Sequence, residues 1–163
     1  MSHRLFLSAA ALLLAAQHAS AQTINLSFTP PAPIVQVGDA VEVQLLVIAS
    51  GLTAVEFSGL DALLDYDPSY LALLGVDNGL AAEPWLASSF LTDPDGINSS
   101  LSDGNALYTA LCSPGSPATA PPSGAIVTTF RFLALQETPG TTLSLLPSLG
   151  TYGVTEVYDY HTA

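Results

Sequence analysis

The chain has 163 residues, of which 49% are hydrophobic, and its 14 acidic residues stand against only two basic ones, giving a formal net charge of −12. This length is enough for one domain with a hydrophobic core. The charge excludes nucleic acid and an anionic membrane surface as partners, because both repel an acidic protein. The lone Cys112 cannot form an intrachain disulfide, and we expect it to be a small buried residue on a strand.

The first 21 residues have the pattern of a secretory signal peptide. A basic start and the apolar run Leu5–Ala16 are followed by the small residues Ala19–Ala21. The run of about a dozen residues is shorter than the roughly 20 that a helix needs to cross a bilayer. We therefore expect cleavage near Ala21-Gln22, which leaves residues 22–163 as one secreted domain without membrane insertion.

The first strands of this domain are predicted from alternating apolar and polar residues. The valines around Glu42 and Gln44 lie at every second position, which predicts a strand with one buried face. Leu46 and Ile48 make the far half of this strand apolar on both faces, which is typical of a central position in a sheet. The proline-rich stretch from Pro30 to Pro33, just upstream, is expected to remain extended and to protect a sheet edge.

The stretch Leu60–Gly79 is predicted to form a strand, a turn and a second strand. The core-facing positions of the first strand are Leu60, Ala62, Leu64 and Tyr66, and the opposite face carries Asp61 and Asp65. Asp67-Pro68 ends this strand, because proline has no N–H to donate.

The rest of the chain is predicted to add further short strands with one possible helical turn. Trp85, Leu86 and Phe90 lie near helical spacing, so a turn of helix is expected within Ala81–Leu91. A polar loop follows, and the later strands are expected at Ala106–Cys112, Ile126–Leu133, Thr141–Leu146 and Val154–Tyr160. Seven to nine short strands with turns between them predict an all-β fold, an antiparallel two-sheet β-sandwich.

A polar loop supplies a candidate Ca²⁺ site. The run D-P-D-G-I-N places oxygen ligands close together, with a glycine that permits a sharp bend. The candidate ligands are Asp93, Asp95, Asn98 and Asp103. The spacing of a complete EF-hand is missing, and Asp-Pro and Asp-Gly are also ordinary turn formers, so a plain loop is the alternative.

Aromatic residues are the candidates for contact with a ligand, since sugar rings pack on exposed aromatic faces. The residues considered are Trp85, Tyr66, Tyr70 and Tyr108. Packing in the core or at its rim is the alternative for each of them, because tyrosine usually buries its ring and exposes its hydroxyl.

No catalytic arrangement is expected. Asp61 and Asp65 would be about 13 Å apart at roughly 3.3 Å per residue, beyond the roughly 5 to 9.5 Å of glycosidase carboxylate pairs. His161, the sole histidine after the signal peptide, lies near the chain end, a poor scaffold for a general base. The protein is therefore not expected to be an enzyme.

Three motifs in order resemble those of cohesin-like domains. The segments are IVQVGDAVEVQLLV (Ile34–Val47), LDALLDYDPSYLALLGVDNG (Leu60–Gly79), and GAIVTTFRFLAL (residues 124–135) followed by PGTTLSLL (residues 139–146). Their order is similar to that of cohesin-like domains of the carbohydrate-binding-module (cellulose-binding) superfamily, in particular the stand-alone secreted bacterial type.

The resemblance implies a jelly-roll sandwich of about nine strands and a non-catalytic, monomeric binding module. A sheet face would bind a dockerin-like or other extracellular protein. Two alternatives stay open: a carbohydrate-binding module linked to polysaccharide degradation, and an acidic structural surface protein that binds Ca²⁺.

Overall fold

The structure is a computed structural model that describes residues 22–29, 35–92 and 96–160. The predicted signal peptide, the proline-rich stretch, Asp93, Asp95 and His161 lie outside these ranges. Within them, no helix combines the length and the apolar character needed to cross a membrane.

The described residues form twelve strands and one short 3-10 helix. The strands are β1 (Ile24–Phe28), β2 (Ala40–Ala49), β3 (Val55–Tyr66), β4 (Leu71–Asp77), β5 (Ala87–Ser89), β6 (Asn105–Leu111), β7 (Ala118–Ala120), β8 (Ala125–Ala134), β9 (Leu143–Leu145), β10 (Ser148–Leu149), β11 (Gly153–Val154) and β12 (Glu156–Asp159), and the 3-10 helix is Ile97–Ser99.

The strands assemble into two antiparallel sheets. One has the order β1-β2-β8-β4, and the other has the order β12-β3-β6-β5. Strands β7 and β9 also pair with β3, while β10 and β11 form a separate hairpin. This arrangement confirms the predicted all-β, antiparallel two-sheet sandwich of jelly-roll type.

The helical turn predicted within Ala81–Leu91 is wrong. This segment instead forms β5, which pairs with β6 from Ala87↔Leu111 to Ser89↔Thr109. The amide of Leu86 donates to the carbonyl of Leu111 at 2.8 Å, and Trp85 Nε1 donates to the carbonyl of Val127 at 2.8 Å. These long-range bonds outweigh a weak local helix preference.

The longest strand, β3, lies at the centre of its sheet. It pairs with β6 through Gly59–Asp65, with β12 through Phe57–Asp61, and with β7 and β9 near its two ends. The predicted inward face of β3 is confirmed, because Leu60, Ala62, Leu64 and Tyr66 are all buried.

The centre of the core is a group of aromatic rings around Phe130. Its ring centroid is 5.2 Å from that of Tyr108, 5.9 Å from that of Phe90 and 6.1 Å from that of Phe28. Edge-on packing dominates, as expected from the charge distribution of aromatic rings. The two sheets are therefore joined through side chains of β1, β6 and β8 and the residue after β5.

The Asp67-Pro68 turn is held in the way the sequence predicts. The Asp67 carboxylate accepts from the amide of Ser69 at 2.9 Å, and its carbonyl accepts from the amide of Leu71 at 3.0 Å. Gly104 packs against this turn with φ of +98°, and a Cβ there would lie 2.7 Å from the carbonyl oxygen of Tyr66. A glycine is therefore required at this contact.

We expect Phe130→Ala to lower the free energy of unfolding by about 3–5 kcal/mol, because it removes a fully buried ring that three other rings contact. Urea denaturation measures the change. The control is Leu52→Ala at a side chain that is 99% exposed, expected to change stability by less than about 0.5 kcal/mol. Equal effects of the two substitutions would contradict the packing described.

Candidate functional site

One half of the outer face of the β12-β3-β6-β5 sheet is open. Residues directly opposite each other on neighbouring strands share a face, and the register pairs Asp61 with Thr109, Gly59 with Leu111, and Tyr158 with Gly59. We call these five residues, Gly59, Asp61, Thr109, Leu111 and Tyr158, the open half-face.

The other half of this outer face is covered by the β10–β11 hairpin. Leu63 points outward but has 0% exposure, and its register partner is Leu107. Gly153 of the hairpin lies so close to Leu107 that a Cβ would be 3.3 Å from its side chain. Thr155 fixes the base of the hairpin, because its hydroxyl donates to the Leu146 carbonyl at 2.6 Å and accepts from the Leu63 amide at 2.9 Å. The hairpin therefore forms a wall beside the open half-face.

Asp61 lies at the centre of the open half-face with a fixed carboxylate. Thr109 Oγ1 donates to one carboxylate oxygen at 2.5 Å, and the hydroxyl of Tyr158 donates to the other at 2.5 Å. An ionised carboxylate can accept about four hydrogen bonds. Asp61 is thus oriented by two neighbours while it keeps the capacity to accept bonds from a ligand.

The surroundings of Tyr158 raise the pKa of its hydroxyl above the ordinary value. Partial burial is the largest cause, followed by the hydrogen bond to Asp61 and the negative charges of Asp61 and Glu156. Tyr158 therefore remains a neutral donor to Asp61 throughout the physiological pH range.

Exposed leucines lie beside this carboxylate. Leu111 is 36% exposed and Leu86 is 63% exposed, and their backbones are hydrogen-bonded to each other at 2.8 Å. The Leu111 side chain packs against Gly59, where a Cβ would come within 2.9 Å of that side chain and 2.7 Å of the Ala110 carbonyl oxygen. The absence of a side chain at Gly59 therefore leaves room for Leu111 on the open half-face.

The charge of the open half-face is acidic. Asp61 belongs to it, and Glu156, which is opposite Asp61 on the neighbouring strand, borders it. In the ranges that the structure describes, the only Lys or Arg side chain is Arg131, whose Nε lies 3.5 Å from Glu42 on the other sheet. The open half-face therefore attracts a basic group without competition from a residue of its own.

The structure separates the four predicted ligand-facing aromatic residues. Tyr108 is 0% exposed and Tyr66 is 4% exposed, so the prediction that they face a ligand is wrong and the packing alternative applies. Their hydroxyls are bonded to Ser88 and to the Leu101 carbonyl, respectively. Trp85 and Tyr70 are half-buried against the core. Two buried rings cannot join the other two in an exposed platform for a sugar.

The candidate Ca²⁺ ligands lie partly outside the described residues, which include Asn98 and Asp103. The Asn98 amide nitrogen donates to the carbonyls of Leu91 and Leu107 at 2.8 and 2.7 Å, and its oxygen accepts from the amide of Leu107 at 2.9 Å. Asp103 accepts from the amide of Asn105 at 3.2 Å. Within the described ranges, no three His, Cys, Asp or Glu side chains are grouped to hold a metal. Asn98 therefore anchors the loop to β6.

Sequence reasoning missed Thr109, Leu111 and Tyr158 as members of one surface. The alternation of residues places Asp61 on the outer face of its strand, but it does not predict the two hydrogen bonds that its carboxylate accepts there. The strand register brings these residues together, because it places Tyr158 opposite Gly59, which lies 99 positions earlier in the chain. No local pattern in the sequence reports that distance.

Comparison with known proteins gives matches among solved structures. No protein-family model matches the chain, and no curated protein matches it in sequence. A structure of a type II cohesin–X-dockerin complex from Acetivibrio cellulolyticus is 16% identical, with a TM-score of 0.56, over 86% of this chain and 89% of that one. The second type II cohesin module of an adaptor scaffoldin from the same organism is also 16% identical, with a TM-score of 0.56, over 89% of each chain.

A third similar structure is a type I cohesin–dockerin complex from Clostridium thermocellum. It is 14% identical, with a TM-score of 0.56, over 76% of this chain and 81% of that one. Likeness at these identities shows a shared fold. The chain has the cohesin fold over most of its length.

We expect Asn98→Asp to lower the free energy of unfolding by about 2–3 kcal/mol, because a carboxylate cannot donate to the two carbonyls that the amide satisfies. Thermal or urea denaturation with and without Ca²⁺ measures this. Asp103→Asn at an exposed position is the control, expected within about 0.5 kcal/mol. Unchanged stability of Asn98→Asp together with tighter Ca²⁺ binding would instead favour the metal site.

We expect the free energy of unfolding to fall as the pH rises above about 10, where unfolded tyrosines ionise. The pKa values of Tyr66, Tyr108 and Tyr158 are raised in the folded chain, chiefly by burial. The folded state therefore keeps protons that the unfolded state loses. Urea denaturation at several alkaline pH values measures how steeply the free energy of unfolding falls with pH. Tyr158→Phe should reduce this slope by an amount that corresponds to at most one proton.

Proposed function

We propose that this chain is a secreted, non-catalytic binding module that holds an extracellular protein, dockerin-like in character, on the open half-face. The observation that carries the proposal is the oriented carboxylate of Asp61 beside the exposed side chain of Leu111. The cohesin fold supports it, since two of the similar structures are complexes of a cohesin with a dockerin-containing partner. The signal-peptide pattern of the first 21 residues supports secretion.

The surface defines the chemistry of its partner. An interface gains most from a few well-packed anchors, surrounded by polar contacts that set orientation. Leu111 and Leu86 offer the apolar anchor point, and Asp61 offers the acceptor. The partner is therefore a folded protein that presents an apolar side chain next to a lysine, an arginine or a hydroxyl donor.

Two features favour protein over polysaccharide as the ligand. A sugar site needs exposed aromatic faces in one plane, and two of the four candidate rings are buried. The open half-face offers leucine, threonine and a carboxylate at strand spacing instead, which suits a flat protein surface. Catalysis is not part of the proposal, because within the described residues the open half-face contains no histidine or cysteine to act as base or nucleophile.

The experiment is a capture from the culture medium of the producing organism with the domain starting at Gln22, followed by identification and purification of the captured protein. Its affinity for the domain is then measured by calorimetry. We expect Leu111→Ala to weaken binding about tenfold, roughly 1.4 kcal/mol, as for a residue at the centre of an interface. Asp61→Asn is expected to weaken it by a similar factor.

The matched control is Leu74→Ala, a leucine that is 56% exposed on the opposite sheet. It should leave the affinity within about twofold. Equal loss in both leucine variants, or retention of the domain on insoluble polysaccharide alone, would overturn the proposal. A parallel capture in EDTA tests whether the complex requires a metal ion.

A further inference from the structure

The strands at the ends of the two sheets differ in how they resist pairing with another chain. Natural proteins protect such edges with bulges, charges, prolines or very short strands. Strand β4 has an irregular register between Leu73 and Gly75, β12 has one between Tyr158 and Asp159, and β5 has only three residues. Strand β1, with the sequence INLSF, pairs with β2 in unbroken register and contains neither a charge nor a proline.

On the side of β1 where no described strand pairs with it, the backbone is oriented to accept a further strand. The amide of Ser50 donates to the carbonyl of Thr23 at 2.8 Å, and the amide of Thr29 donates to the carbonyl of Gln44 at 3.0 Å. In an antiparallel pair, alternate residues direct both backbone groups to the partner strand. The odd-numbered residues of β1 therefore face β2. The N–H and C=O groups of Ile24, Leu26 and Phe28 point away from it.

A groove of about 1020 Å³ lies along this edge, between β1 of one sheet and β3, β9 and β12 of the other. This volume is at the upper end of the usual range for ligand sites. Ile24 and Leu26 are only partly buried although they point toward the core. The apolar side chains that line the groove include Ile24, Leu26, Val55, Phe57, Leu145 and Val157.

The rim of the groove is acidic. Glu56 and Glu156 are exposed and line it together with Asp159. No Lys or Arg is among the residues that line it, and the described chain has its only such side chain, Arg131, on the other sheet's outer face. A second copy of this chain would bring further carboxylates to the same rim. Charge therefore favours a basic occupant over self-association.

We propose that the β1 edge binds an extended peptide segment of another protein, with alternating apolar side chains flanked by lysine or arginine, as an added strand. Backbone bonds to Ile24, Leu26 and Phe28 supply the pairing. The apolar side chains of the peptide fill the groove between the sheets, and its basic ends contact Glu56 and Glu156. Five residues of strand span about 13 Å at roughly 3.3 Å per residue, which sets the length of the segment.

The test uses two synthetic peptides with the same centre, Val-Thr-Val-Thr-Val, flanked by two lysines or by two glutamates at each end. Binding to the chain from Gln22 onward is measured by fluorescence anisotropy, and backbone amide exchange is followed by NMR. We expect the lysine peptide to bind at least tenfold more tightly and to slow exchange at Ile24, Leu26 and Phe28. The variant Glu56→Gln, at a groove residue outside the open half-face, should weaken its binding several-fold at low salt.

Methylated peptides separate strand addition from simple charge attraction. Of two lysine peptides, one carries N-methyl groups on its valines and the other on its threonines. In an added strand, the amides of either the valines or the threonines donate to β1, and the other set points away. The peptide methylated on the donating set should lose at least tenfold in affinity, and the other peptide should change less than twofold. Leu111→Ala should bind the unmodified peptide normally, which separates this site from the open half-face.

Three results would each overturn the proposal. The first is equal binding of the lysine and glutamate peptides, or no binding of either. The second is slowed amide exchange at other residues with no change at Ile24, Leu26 and Phe28. The third is dimerisation of the chain through β1, detected by sedimentation, since the edge would then be occupied by a second copy.

Discussion

The double role of strand β3 is the constraint on which the rest of the structure depends. One face of β3 supplies the core with Leu60, Ala62, Leu64 and Tyr66. The other carries Asp61 at the open end and Leu63 beneath the hairpin. Shifting β3 by one residue would exchange these faces, placing carboxylates in the core and leucines in water. The register that builds the hydrophobic core is thus the same one that positions the candidate binding residues.

The distribution of charge gives the two proposed binding surfaces the same electrostatic character. Because the described part carries its single Lys or Arg side chain on the β1-β2-β8-β4 sheet, the open half-face and the β1 groove present carboxylates with no compensating cation. Such surfaces attract basic partners at long range and repel copies of themselves. The same property opposes pairing of exposed edges between identical chains, which is otherwise a risk for a β-sandwich.

The sequence predicts the fold better than it predicts the site. Alternation around Glu42 and Asp61 reports strands because a half-buried strand must repeat every two residues. The spacing of apolar residues around Trp85 predicts a helical turn, because the hydrogen bonds that favour an extended chain there reach Leu111 of β6 and Val127 of β8, which are distant in the sequence. Tyr158 and Asp61 are 97 positions apart, and only the assembled sheet brings them together. The side chain of Asn98 carries an oxygen that can bind a metal, but in the folded chain it is hydrogen-bonded to the backbone of Leu91 and Leu107 and anchors the loop.

The β10–β11 hairpin lies in the chain between β9 and β12, two strands that both pair with β3. Thr155 fixes the base of the hairpin. Its tip carries Tyr152, which is 58% exposed. Extra residues at that tip would cost little loop-closure entropy, because this cost grows only with the logarithm of loop length. The height of the wall beside the open half-face can therefore change in evolution without disturbing the core.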